Sequence, residues 1–470
     1  MNKKIIAGVL AVLLIGGGVP CCSYFTQPTA IVANAELTVI PEDKIEFEEF
    51  DDYVQIKYLK YSGNCPTEVE FPSQINGKPV TVIGNGKDLV FSYYAGLRQY
   101  SVVKKIKIPN TVKTISEKAF DSCYVAESIE IPASVTSIGD YAFKGCASLL
   151  SLSIPTSGDD LTIGDGAFIG CSKLTRVNLP DRITFMGEGC FTGCSNLANI
   201  SLPNSIATLQ TLSSESSITA TNASGNSVDY GAEVGFFEKC SGLESIVIPD
   251  SVQNINEKTF KGCDSLSGIT LGAGIEALGA INLDSTALKK INVSEENPVY
   301  SSSDNILFDK SMQRLIRYPV NCGIVKYVIP STVTEVDKNA FAGSKNLTYI
   351  VFPESVSVIP QGVFNNCSSL KKIMILNKEC QIDAEISPDI EIAGYKGSTA
   401  EKHATQMGYT FIDVEAKNEP VPPFKEGDVN KDGLIDAVDA SCILSYYAYL
   451  STGGDSSVSI YEYISKTEIE

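Results

Sequence analysis

The chain has no tryptophan and a single histidine, His403. A metal site made of clustered imidazoles is therefore excluded, and a Ser-His-Asp or Cys-His mechanism has almost nothing to draw on. His403 lies in KGSTAEKHATQMG, where Ser398 and Glu401 form a capping box and Gly408 stops the helix, so it reads as an exposed helical histidine. Basic residues are also scarce. Lys and Arg total 37 against 56 Asp and Glu, a formal net charge of -19. Phosphate binding rests on clustered basic side chains, so nucleic acid and anionic membranes are not expected partners. Long apolar runs are missing too. Ile5 to Ile15 is shorter than the roughly 20 residues of a membrane span, and no transmembrane segment is expected. With Lys3 and Lys4 before it and Ala33-Asn34-Ala35 after it, that run reads as a secretory signal over residues 1–35. Cys21-Cys22 follow Gly18-Val19-Pro20, a poor match to a lipoprotein signal, so the expected address is extracellular without a lipid anchor.

What the sequence does have is a beat. IPNTVKTISEKAFDSC from Ile108, IPASVTSIGDYAFKGC from Ile131 and IPSTVTEVDKNAFAGS from Ile329 are variants of one unit. Pro109, Pro132 and Pro155 stand 23 apart, as do Pro330 and Pro353, and Phe120, Phe143, Phe168, Phe191, Phe237, Phe260, Phe341 and Phe364 keep time with them. A period of this length marks a solenoid, in which one unit cannot bury its apolar edge alone but stacked units share a core. Within a unit, LLSLSIP (Leu149 to Pro155) alternates as a half-buried strand does. The following SVTSIG turns Val135 and Ile138 inward in its own unit, and DYAFKGC is expected to make a tight helical or 3₁₀ turn burying Ala142 and Phe143.

Fourteen cysteines in an exported chain would ordinarily indicate a disulfide framework. Here seven of them, Cys123, Cys146, Cys171, Cys194, Cys240, Cys263 and Cys367, each follow a repeat phenylalanine by three residues, and Ser344 takes that place in another unit. A cysteine repeated once per turn with parallel Cβ directions behaves as a small packing residue, so reduced core thiols are expected. Cys65, Cys190, Cys322, Cys380 and Cys442 have no metal-ligand spacing.

The pattern IPxSVTxIGxxAFxxCxxLxxIxIP resembles the BspA-type leucine-rich repeat of secreted bacterial surface proteins. The resemblance implies an α/β, mostly β, solenoid of ~23-residue repeats over 61–414, after an N-terminal lead-in at 36–60. Two insertions interrupt it, a Ser/Thr/Asn-rich stretch at 213–229 and an expected hairpin at 297–319 with Asp309-Lys310-Ser311 near its turn. A closing cap of helix and strand is expected over 393–414. The outward strand positions, among them Ser151 and Ser153, Arg176 and Asn178, and Asn199 and Ser201, form a small, polar, mildly basic row. No opposed carboxylates or nucleophile-base pair appear in it, so no enzyme is expected; the row is either a solvated surface or a recognition face for protein or glycan.

After a charged, proline-bearing linker at 415–426 comes DVNKDGLIDAVD. Oxygen-bearing side chains stand at Asp428, Asn430, Asp432, Asp436 and Asp439, Gly433 permits the sharp turn, and Leu434 offers its carbonyl. That is the spacing a flexible loop needs to wrap Ca2+. Ile443, Leu444, Tyr447 and Leu450 then recur at helical spacing. Residues 427–470 resemble a dockerin of the cellulosome system, a small α-helical calcium-binding module. The resemblance implies calcium ligands at Asp428, Asn430, Asp432, Leu434, Asp436 and Asp439, and partner-reading residues at Ala437 and Val438. It implies a cohesin module of a scaffoldin as partner and polysaccharide degradation as context. Dockerins usually have two such loops and this chain has one. A cell-surface adhesin with a vestigial dockerin therefore stands as an alternative, as does a hydrolase with an unrecognised site.

Overall fold

A computed structural model describes residues 37–61, 65–91, 102–278 and 287–415. The signal segment, the linker beyond Glu415 and the calcium loop lie outside the described residues. The described chain is a mostly β solenoid with one α-helix, Thr399–Met407.

Each coil contributes two short strands to two separate parallel sheets. The strands of the first sheet carry the IxI motif: Ser151–Ser153, Arg176–Asn178, Asn199–Ser201, Ser245–Val247, Gly268–Leu271 and Lys290–Val293 lie side by side in register, Ser151 against Arg176 and Asn178 against Ser201. Lys105–Lys107 and Ser128–Glu130 precede this run, and Lys326–Val328, Tyr349–Phe352, Lys372–Ile375, Glu391–Gly394 and Phe411–Asp413 follow it. The second sheet collects the two-residue strands of the TSI motif, such as Thr114–Ile115 and Ser137–Ile138. Val135, Ile138, Ala142 and Phe143 are all buried, as the periodicity requires.

The phenylalanine segment is not the helical turn expected of it. In one coil, Gly139 O accepts from Ala142 N and Tyr141 O from Lys144 N, while Tyr141 and Gly145 take left-handed φ values of 56° and 70°. The intervening amides point the other way. Tyr141 N, Phe143 N and Gly145 N donate to Asp165 O, Ala167 O and Ile169 O of the next coil at 2.7–2.9 Å. The segment is thus a third hydrogen-bonded ladder, which a helix would have consumed internally.

Inside the stack the rings of Phe120, Phe143, Phe168 and Phe191 lie nearly parallel with centroids 5.4–5.5 Å apart. The cysteines behind them are free. Cys146 Sγ donates to Phe120 O at 3.2 Å, Cys240 to Phe191 O at 3.0 Å and Cys367 to Phe341 O at 3.1 Å, so each thiol satisfies the carbonyl of an earlier phenylalanine. Burial pushes these thiols upward in pKa, well above the ordinary range at Cys146, Cys194 and Cys240.

The Ser/Thr/Asn-rich insertion is a long antiparallel hairpin, Leu212–Thr221 against Ser227–Val234. It lies back across the neighbouring coils: Ile169, Leu212, Ile218, Ala220 and Val234 form a small core of their own. A Cβ on Gly170 would stand 2.8 Å from Ala220 Cβ, and one on Gly193 2.4 Å from the Tyr230 ring. Gly170 and Gly193 also have φ of 74°, so both space and backbone demand glycine there. The second insertion makes three strands rather than a single hairpin, Tyr300–Ser303, Ile306–Asp309 and Arg314–Arg317. Asp304 and Asn305 form the first turn with φ of 52° and 68°, the positive pair that a tight I′ hairpin needs. Arg314–Arg317 then rejoins the second sheet by pairing in parallel with Glu335–Val336.

At the C-terminal end Ser398 accepts from Glu401 N, and Gly408 closes the helix in the left-handed conformation with φ of 73°. His403 is not exposed as its sequence context suggested. It is half-buried near Tyr409, its Nε2 has no hydrogen-bond partner among the described residues, and desolvation holds its pKa below the usual value.

Candidate recognition face

The outer surface of the first sheet changes character along the stack. In the early coils it is laced by ion pairs: Lys105 with Glu130 and Lys107 with Glu70, each at 2.9 Å. Glu130 holds the Lys105 ammonium above its ordinary pKa. These pairs are partly exposed and add little stability, about 0–1 kcal/mol each, but they neutralise that end of the face.

The middle coils carry the polar row. Strand alternation sends Leu152, Val177 and Ile200 into the core and presents Ser151, Ser153, Arg176, Asn178, Asn199 and Ser201 outward. These residues line a shallow concavity together with Thr175 and Ala198. Arg176 has no ion-pair partner among the described residues, so its guanidinium is free to meet a ligand. Ser245 Oγ donates to Asn199 Oδ1 at 3.3 Å, which orients that amide. Further along, Gly268 leaves room for the Lys290 stem; a Cβ there would stand 2.8 Å from Lys290 Cε. Rows of hydroxyls, amides and one guanidinium at the roughly 4.8 Å strand spacing can bind a polar, extended surface by hydrogen bonds. No carboxylate stands on these middle strands, so they do not carry the opposed pair that glycoside cleavage uses. No cluster of three or more His, Cys, Asp or Glu suited to a metal occurs among the described residues.

The last coils present an apolar end that the sequence reading did not single out. Val351, Met374, Ala393, Ile412 and Val414 form a buried cluster on the outer side of the sheet, separate from the core beneath it. The signal was there: YIVF and KIMI lack the alternation of a half-exposed strand. The calcium ligands Asp428, Asn430, Asp432, Leu434, Asp436 and Asp439, with Ala437 and Val438, lie outside the described residues.

The BspA type Leucine rich repeat region matches this chain in 6 copies over residues 97–220, 233–318 and 320–386, more than half of its length. The chain belongs to that family. Among solved structures, a leucine rich cell surface protein from Faecalibacterium prausnitzii A2-165 shares 22% identity, covering 80% of this BspA-type chain and 94% of its own, with a TM-score of 0.45. A leucine-rich repeat protein from Bacteroides ovatus ATCC 8483 shares 23% identity over 77% and 80% of the two chains, with a TM-score of 0.44. No curated protein matches this BspA-type chain. Among its described residues no helix is long and apolar enough to cross a membrane.

Proposed function

We propose that this protein is a secreted, non-catalytic recognition module that a calcium-binding dockerin-like segment attaches to a cohesin of an extracellular scaffold. The observation that carries the reading is the loop DVNKDGLIDAVD. Its five oxygen-bearing side chains and one carbonyl at calcium-loop spacing are the donor set of a hard cation, with Asp428, Asn430, Asp432, Leu434, Asp436 and Asp439 as ligands. Ala437 and Val438 would then read the cohesin. The solenoid supplies the cargo function. Its polar middle face, free of paired carboxylates, suits binding of protein or glycan in the setting of polysaccharide degradation. The lone loop, where a dockerin usually has two, favours one other reading, a surface adhesin whose calcium module no longer docks.

The test is calorimetric. The secreted full chain is titrated with cohesins of the same organism in calcium and in chelator, beside the Asp428→Ala, Asp432→Ala double variant. Calcium-dependent binding that the variant loses supports docking. Calcium uptake without any cohesin binding sinks it and leaves the adhesin.

A further inference from the structure

In a chain this acidic, one surface has been kept clear of acids. The formal charge is -19, with 56 Asp and Glu. Yet the six strands from Ser151–Ser153 to Lys290–Val293 carry no carboxylate. Arg176 and Lys290 are both exposed on them, without an ion-pair partner among the described residues. The acid on the preceding strand, Glu130, is held by Lys105 at 2.9 Å. At the rim Glu244 stands before Ser245, and Lys289 offsets it from the corresponding place before Lys290. Register puts the two unpaired cations in one row: Arg176 lies beside Asn199, then come Ser245, Gly268 and Lys290. Four strand spacings amount to ~19 Å, and the Lys290 stem shortens the gap. A Cβ on Gly268 would stand 2.8 Å from Lys290 Cε and 3.3 Å from its Cγ, so the side chain lies back over the glycine toward Arg176.

What the face lacks narrows the ligand further. None of the six strands has an aromatic side chain, so a neutral sugar finds no ring to stack on. Hydrogen bonds to exposed hydroxyls and amides replace bonds to water and anchor little by themselves. A protein partner needs a buried apolar or aromatic centre, and Val247, 63% exposed, is the one large apolar side chain that these strands expose.

We infer that the row binds a linear carboxylated glycan, a polyuronate, with the Arg176 guanidinium forked on one carboxylate and the Lys290 ammonium meeting another further along. The planar fork fixes the first carboxylate bidentately, while the ammonium accepts a range of positions. Between the cations Asn199, oriented by Ser245 Oγ at 3.3 Å, is placed for ring hydroxyls, as are Asn178 and Ser201 in the parallel row. A polyuronate uses both the cations and the amides; a neutral glycan uses only the amides, and an acidic peptide chiefly the cations. The assignment rests on the recognition role proposed for the solenoid and is independent of docking to cohesin.

The full secreted chain is titrated in chelator with oligomers of galacturonic acid long enough to span both cations. The same oligomers as methyl esters, and poly-glutamate of similar charge, are titrated in parallel. The free acid should bind, more weakly as salt rises. Esterification should weaken it at least about tenfold, and so should Arg176→Gln, the loss expected for one charge-assisted contact. Arg176→Lys should recover part of that loss. Arg176 is exposed, so thermal unfolding of the variants should match the parent and exclude misfolding as the cause. Equal binding of acid and ester would overturn the inference while leaving a glycan-recognition face in place. Binding indifferent to Arg176→Gln would move the site elsewhere and overturn it too. Poly-glutamate bound as tightly as the free acid would reduce the face to a general polyanion surface and sink the glycan assignment. A parent chain that binds no free acid also ends it, whereas cohesin titration alone decides the docking reading.

Discussion

Removing the ring of Phe143 should open the stack where it is most regular. Phe143 has no exposed surface and sits between Phe120 and Phe168, with both ring centroids 5.4 Å away and the planes within 4° and 1° of parallel. Phe→Ala at a fully buried site costs ~3–5 kcal/mol, with a spread set by how far the surroundings collapse. Here collapse is opposed by backbone ladders above and below, Phe143 N to Ala167 O at 2.9 Å and Phe120 N to Ala142 O at 2.7 Å. The upper half of that range, about 4 kcal/mol, is therefore expected. Apart from the hairpin, whose Thr221 reaches back to Ser122, coils touch only their neighbours, so the loss should stay within the coils around Phe143 and those the hairpin crosses. Native-state hydrogen exchange reads this by position. A local loss of ~4 kcal/mol corresponds to roughly three decades in exchange rate at the Tyr141, Phe143 and Gly145 amides. The strand Tyr349–Phe352, whose core lies in a separate cluster, should keep its rate. Val247→Ala, on the exposed face, should change urea stability by no more than about 0.5 kcal/mol. A Phe143→Ala penalty below ~1.5 kcal/mol, outside the range for buried aromatics, would refute the stacked-ring account. Equal acceleration at Tyr349–Phe352 would refute the nearest-neighbour account.

Asn297 is buried and uses its whole amide: Nδ2 donates to Gly272 O and Ile275 O, and Oδ1 accepts from Val299 N and Tyr300 N. Asn297→Ala leaves two carbonyls and two amides without partners and should cost about 2–4 kcal/mol in urea unfolding, whereas Asn199→Ala on the outer face should be nearly neutral. Thiol titration without reductant should find the native protein slow to react and the urea-unfolded protein yielding at least the 11 free thiols of the described residues; recovery of only a few would show that the ladder oxidises to disulfides. The depressed pKa of His403 means that the fold favours the neutral ring. Its contribution is present above the unfolded value near 6.5 and is lost as pH falls through the folded one. Thermal unfolding from pH 7 to 5 should therefore show a decline that shrinks in His403→Gln, and an identical slope in the two proteins would count against the burial.

The coil was legible because its constraints are strict and repeated. A phenylalanine that must stack on its neighbours and a proline that must end its strand can drift little, so 23-residue spacing in sequence becomes register in space. The turn segment was not legible in the same way. Its alternating ladder places Lys118, Tyr141 and Ser122 at positive φ, and those residue types advertise no such backbone; only Gly145, Gly166, Gly170 and Gly193 at equivalent places did. The insertion at 213–229 looked like solvent-loving loop because its strands are Ser- and Thr-rich on the outward side. Its few inward residues, Leu212, Ile218, Ala220 and Val234, were too sparse to outweigh that composition. His403 was misplaced because a capped helix says where a residue sits along its axis, not that the chain leaving it places Tyr409 beside that residue. The polar row on the middle coils was readable residue by residue, while the apolar end was hidden in the same register. There the informative feature was an absence of alternation, which a residue-by-residue reading passes over.

The thiol in nearly every coil follows from the same geometry. The position behind the phenylalanine needs a side chain small enough for a niche that is 0–1% exposed at Cys146, Cys171, Cys194, Cys240 and Cys263, and the carbonyl of an earlier phenylalanine there, which already accepts one backbone N–H, has room for a second donor. Alanine fills the niche and leaves that second acceptor position unused. Serine brings a stronger donor but a shorter reach, and Ser344 shows the outcome: its hydroxyl turns to Phe341 O of its own turn at 2.6 Å and reaches no earlier coil. A thiol satisfies both needs, with a longer bond to sulfur, a weak S–H donor and mostly apolar packing. The contacts from Cys146, Cys171, Cys194, Cys240, Cys263 and Cys367 to phenylalanine carbonyls, all between 3.0 and 3.4 Å, are that compromise repeated. Oxidation would pull each sulfur off its carbonyl and out of line with the ladder, so the packing itself disfavours the disulfides that the cysteine count would suggest.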